Sequence, residues 1–155
     1  MSDYSRYDEY KMLLEDTARF TDRRQNASTL YTSVNSIFLA ALSIIISDLD
    51  ALPLYTIFAA LVVIGAGIMT SLSWRDYILS YRKLTRLRFE VLKEIEQDIE
   101  MADSVKIYER EEKFYKNDED KGLFTRIEQK LPETFIIIYG IAFIMVVISP
   151  FLGLE

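Results

Sequence analysis

The sequence contains no cysteine and no histidine. Without cysteine there is no disulfide framework and no thiol nucleophile. Without histidine there is no imidazole base, and the two absences together remove nearly every zinc, haem or iron–sulfur site. No metal or cofactor is expected, and compartment has to be inferred from topology. Helix breakers are also scarce. Five glycines and three prolines occur in 155 residues, and the first of them is Pro53. Long uninterrupted helices follow from that scarcity. Residues from about Asp3 to Ser47 are expected as one helix, or two joined by a small bend. A second helix is expected from Leu54 to Glu100, ~70 Å long at the standard rise. Pro53 and Pro132 fall near the starts of apolar spans, where a missing backbone N–H is tolerated.

Charge is missing from three stretches, about Thr29 to Ser47, Leu54 to Trp74 and Thr134 to Leu154. Each holds roughly 18 or more mostly apolar residues, enough for a helix to cross a ~30 Å hydrocarbon core. Basic residues are absent from one side of these spans altogether. Residues 1–28 carry five basic side chains and residues 75–133 carry thirteen, which accounts for all 18 Lys and Arg. The loop between the first two spans has only Asp48 and Asp50, and the tail beyond the third only Glu155. Because Lys and Arg resist transfer across the inner membrane, the basic regions are expected to be cytoplasmic. The first apolar run follows a charged segment and lacks a persuasive small-x-small cleavage site, so it is expected to be retained.

The expected fold is all-α, a membrane protein with three transmembrane helices and long cytoplasmic helical extensions. Its layout is a cytoplasmic N-terminal helix at 1–28, transmembrane helices at 29–47, 54–74 and 134–152, an external loop at 48–53, a cytoplasmic helical region at 75–133 and an external tail at 153–155. The expected location is the inner membrane, multi-pass, with the N-terminus cytoplasmic. A net charge of −6 opposes nonspecific nucleic-acid binding. Membrane lipid is an expected partner, and local basic faces suit its anionic headgroups.

The helix that follows the second span has a usable face. Trp74, Ile78, Tyr81, Leu84, Val91, Ile95 and Ile99 follow three- and four-residue steps, with Arg88 interrupting them. Tyr7, Tyr10, Leu14 and Ala18 form a shorter stripe before the first span. The two stripes suit coiled-coil-like packing, within one chain or between subunits, and Trp74, Ile78, Tyr81, Leu84, Val91 and Ile95 are the expected oligomer interface. Inside the first span Asn35, with Ser33 and Ser36, suits either a hydrated path or an interhelical hydrogen bond. Gly67 and Ser71 have the spacing of a small-x-x-x-small helix contact. Further on, Val105 to Lys116 is expected as a short helix and Asn117 to Gly122 as a turn. Asp118, Glu119 and Asp120 in that turn lack the spacing of a calcium loop. No convergent catalytic group is evident, so an enzyme is not expected.

Ordered motifs point to a family. They run Asp22-Arg23-Arg24-Gln25-Asn26-Ala27-Ser28, then Trp74-Arg75, Ser80-Tyr81-Arg82-Lys83-Leu84 and Arg88-Phe89-Glu90-Val91-Leu92-Lys93-Glu94-Ile95-Glu96, then Thr125-Arg126-Ile127-Glu128 and Leu131-Pro132. In this order they resemble the RipA-like family of small octameric bacterial membrane proteins, over most of the chain. The resemblance implies an inner-membrane homo-oligomer of eight subunits. The sequence has Thr85 where that family commonly has Asn, and Arg88 where it commonly has Lys. A more distant similarity is to SLATT-type membrane effectors of bacterial conflict systems. Two functions are kept in view: an oligomeric channel or pore-type effector in defence or envelope stress, and a nonconducting scaffold that recruits a cytoplasmic protein partner through its helices.

Overall fold

The computed structural model describes residues 6–47, 54–98, 106 and 123–152. The described residues form three helices: α1 at Arg6–Ser47, α2 at Leu54–Asp98 and α3 at Leu123–Leu152. All three are long and apolar enough to cross a membrane. The scarcity of breakers has the expected effect, since α1 is one unbroken helix of 42 residues. Of the short helix expected from Val105 to Lys116, only Lys106 is described, outside regular structure. Ile99 and the acidic turn at 118–120 lie outside the described residues.

α3 corrects one expectation. It begins at Leu123, so Pro132 is inside the helix rather than at its start. Proline there can donate no hydrogen bond to the carbonyl four residues back, which breaks helices in water. It is tolerated in membrane helices, where neighbouring helices and local adjustment compensate. Pro132 is buried, and Thr134 donates a side-chain bond to the Lys130 carbonyl at 2.8 Å, so packing and local polar contacts surround this turn.

The chain divides into two compact units, one of Met1–Asn26 with Leu79–Arg126 and the other of Ala27–Ile78 with Ile127–Glu155. The first is rich in charge and has a small core of Tyr10, Leu13, Leu92 and Ile95. In water, each such apolar side chain contributes about 1.5–3 kcal/mol when fully buried. Among the described residues this apolar core is small, so the polar groups around it must also be satisfied.

The second unit contains the three charge-poor spans. Its core is Leu42 from α1, Ala60 and Ile64 from α2, and Tyr139, Ala142 and Val146 from α3. Large apolar side chains such as Leu30, Ile37, Phe58, Val62, Ile137 and Ile144 are exposed around it. That arrangement suits lipid, which solvates an outward Ile as well as a core does. The hydrophobic effect then gives little drive to helix association, and close packing and interhelical hydrogen bonds must supply it.

Candidate functional site

Asn35 is the centre of the membrane unit's polar packing. Its side chain is fully buried, and its Nδ2 donates to the Tyr31 carbonyl on the same helix at 2.9 Å. Its Oδ1 accepts from Ser71 Oγ of α2 at 3.0 Å and lies 3.2 Å from Tyr139 Oη of α3. The Tyr139 hydroxyl is also 3.2 Å from the Asn35 carbonyl, so its single proton is shared between two oxygens of one residue. Ser71 likewise divides its proton between Asn35 Oδ1 and the Gly67 carbonyl at 2.9 Å. One amide thereby ties together three helices.

Gly67 makes room for this hub. A Cβ at Gly67 would overlap the carbons of the Tyr139 ring, whereas a Cβ at Gly65 would meet nothing. The small-x-x-x-small pair thus receives a tyrosine rather than another small residue: Gly67 accommodates the ring and Ser71 joins its hydroxyl at Asn35. Beside the hub lies an aromatic group. Trp74 is fully buried, stacks on Tyr31 with ring centroids 5.9 Å apart, and meets Phe135 of α3 at 6.1 Å. Its indole N–H lies 3.5 Å from Ser28 Oγ, which donates to Glu128 Oε1 at 3.1 Å.

α1 turns a different set of groups away from this core. Thr29, Ser33, Ser36, Ala40, Ser43 and Ser47 are all exposed and follow steps of four and three residues. At roughly 100° per residue they form one row, turned about 130° around α1 from Asn35 and Leu42. Ser33 donates its hydroxyl proton to the Thr29 carbonyl and Ser36 to the Thr32 carbonyl, each at 2.9 Å. Their protons are satisfied inside the helix, and as exposed hydroxyls they keep the capacity to accept from outside.

In the charged unit, Tyr10 donates to Glu96 Oε1 at 2.7 Å, and the Glu96 side chain is fully buried beside Leu92 and Ile95. Arg88 pairs with Asp16 and lies over the Phe20 ring at 4.3 Å. Phe20 in turn stacks on Tyr81 with centroids 4.4 Å apart. Arg88 therefore belongs to the packed face rather than interrupting it, because a planar guanidinium can stack on an aromatic ring while pairing a carboxylate.

The expected interface residues divide between two environments. Trp74, Ile78 and Ile95 are buried within the single chain and Tyr81 is half-buried, while Leu84 and Val91 are exposed. The buried row of α2 steps instead through Trp74, Ile78, Tyr81, Arg88, Leu92 and Ile95 to Glu96. On α1, Tyr10 is buried, Leu14 half-buried, and Tyr7 and Ala18 are exposed. Thr17 takes the inward position, with its hydroxyl bonded to the Leu13 carbonyl at 2.8 Å. Thr17 and Tyr139 belong to none of the sequence stripes or motifs, and Leu92 and Glu96 enter only as part of the family motif. Tyr139 had a signal available, as one of the few hydroxyls on a charge-free, mostly apolar span.

Three spans joined by buried neutral hydrogen bonds and ringed by apolar side chains define a helical integral membrane protein. The chain belongs to the octameric membrane protein family, 8xMP, whose model matches residues 7–148. It is thus a member of a family of membrane proteins that assemble as oligomers of eight. Comparison with curated proteins and with solved structures gives no significant match.

Proposed function

We propose that this chain is the subunit of an octameric membrane channel, with the outward hydroxyl row of α1 lining the conducting path. The observation that carries this reading is the row itself, Thr29, Ser33, Ser36, Ala40, Ser43 and Ser47. A surface meant for lipid gains nothing from six consecutive small positions, five of them hydroxyl-bearing. The neighbouring row of Leu30, Ile37 and Ile44 has the bulk that lipid contact favours. Exposed hydroxyl oxygens suit water and cations, and helices satisfy their own backbone while enclosing such a path.

Asn35 takes the interhelical role in this scheme, setting the rotation of α1 so that the hydroxyl row faces away from the protomer. In this reading the protein sits in the bacterial inner membrane with its N-terminus cytoplasmic, an orientation that the location of all 18 basic residues supports. The RipA-like motif order and the more distant SLATT-type similarity support a role in defence or envelope stress.

The test is conductance of the purified octamer in planar bilayers. Ser36→Cys should carry current that a charged methanethiosulfonate reagent blocks, while Ile37→Cys should be insensitive. An intact parent octamer that passes no current would remove the channel and leave the nonconducting scaffold.

A further inference from the structure

The charged unit carries an apolar surface that its own core does not use. Leu84, Leu87 and Val91 of α2 are 47%, 56% and 37% exposed. They lie on a stretch with seven charged side chains between Arg82 and Glu94, so hydrocarbon cannot cover them. The buried face of the same stretch, through Arg88, Leu92 and Ile95, is turned roughly 75° away at the helical repeat. A helix with two such faces belongs between two partners. α1 has a second face of its own, where Lys11 and Ala18 are exposed and Leu14 is half-buried.

We propose that these two faces are the two halves of one subunit contact: Leu84, Leu87, Val91 and Glu94 of α2 pack against Ala18, Leu14 and Lys11 of α1 in the next copy. Octameric membership makes a second copy the occupant, and the membrane restricts how copies are related. Every copy inserts with the same orientation because every copy has the same charge asymmetry. Two-fold axes in the membrane plane are then forbidden, and eight equivalent copies close as a ring about the membrane normal. Such a ring is built from one heterologous contact, which needs two different, complementary faces on each subunit.

The placement of the rows meets that need. With the core direction fixed by Tyr10 and Thr17 on α1 and by Leu92 and Ile95 on α2, each row is centred roughly 80–90° from its core, in opposite rotational senses along the two helices. Because the two right-handed helices run antiparallel in this unit, those rotations turn the rows to opposite sides of the pair. One side can meet the other side of a neighbour.

Register follows from the chain's own contacts. Phe20 lies level with Tyr81, Asp16 with Arg88 and Tyr10 with Glu96. Rotation about the membrane normal preserves level, so the same offset applies between copies. It sets Ala18 opposite Leu84 and Leu87, Leu14 opposite Leu87 and Val91, and Lys11 opposite Val91 and Glu94. Small meets large, apolar meets apolar, and a cation meets a carboxylate.

The absence of native cysteine makes the contact directly testable in the full-length octamer. Ala18→Cys combined with Leu87→Cys should, on mild oxidation in nanodiscs, give a ladder of bands up to eight chains, and neither single variant should cross-link. A dimer as the end product of Leu87→Cys alone would show like faces meeting and would overturn the proposal. So would an octamer that stays intact with no cross-link in the double variant, whether or not Leu87→Cys reacts with maleimide. As a second arm, Lys11→Glu and Glu94→Lys should each shift the octamer to smaller species, and their combination should restore it. Octamers unaffected by either single exchange would also refute the register.

Discussion

Gly67 decides how closely α2 and α3 approach, and its effect is visible only through Tyr139. The two residues are far apart in the chain, and neither alone announces a hub. Asn35 was legible because an amide in a charge-free span needs a polar partner or water. Which of these it has depends on two other helices supplying Ser71 and Tyr139, and no local pattern around Asn35 contains that information. Helix association in lipid draws on such contacts, with interhelical hydrogen bonds averaging about 0.6 kcal/mol and reaching about 1.7. Close packing has comparable weight. Gly67→Ala should therefore destabilise the bundle by about 1–3 kcal/mol, the usual cost of inserting a methyl into a filled core. Gly65→Ala, with open space around it, should be neutral or slightly stabilising. Unfolding from mixed micelles by a denaturing detergent, followed by circular dichroism, measures both, and equal effects would contradict the Gly67–Tyr139 contact.

Along the helices, the sequence was informative about length and less so about face. Missing breakers and missing charges marked where α1 and α2 run. The three- and four-residue steps put Val91 on the packing stripe, whereas its neighbour Leu92 is the one buried within the chain; both are apolar and differ by one step of roughly 100°. Arg88 added to the difficulty. As a charge it read as a break in the stripe, yet its pairing with Asp16 and stacking on Phe20 make it part of the inward row. Glu96 did the same one turn beyond Leu92: a buried carboxylate accepting from Tyr10 is invisible to a hydropathy count. The correct row gives opposite outcomes for adjacent residues. Leu92→Ser removes a fully buried side chain and should cost about 2–5 kcal/mol. Loss of helical signal from the charged unit on mild heating would report it, along with increased protease sensitivity. Val91→Ser should leave chain stability within about 0.5 kcal/mol, as surface changes usually do, and shift the size distribution of the octamer instead. Reversed assignments in thermal melts and native mass measurements would mean that the inward row is the one through Val91.

For the whole molecule, the most legible property was the separation of charge from apolar length. Three spans follow from three charge-free stretches, while the extent of α3 did not follow, because Pro132 suggested a boundary that membrane packing removes. Orientation rests on the basic residues alone. Moving five Lys and Arg at the N-terminus and thirteen between the second and third spans across the membrane would meet a large barrier, whereas Asp48, Asp50 and Glu155 impose little constraint. The N-terminus should be cytoplasmic and the C-terminus external. Single cysteines at Ser2, Ser47 and Glu155 test this without background, since the chain has none of its own. In sealed cells, a membrane-impermeant maleimide should label Ser47→Cys and Glu155→Cys from outside and should reach Ser2→Cys only after permeabilisation. Three crossings put the termini on opposite faces, so the Ser2 and Glu155 positions must differ in access. Labelling of Glu155→Cys from the cytoplasmic face alone would mean that α3 enters and returns rather than crosses, and the three-span topology would have to be abandoned.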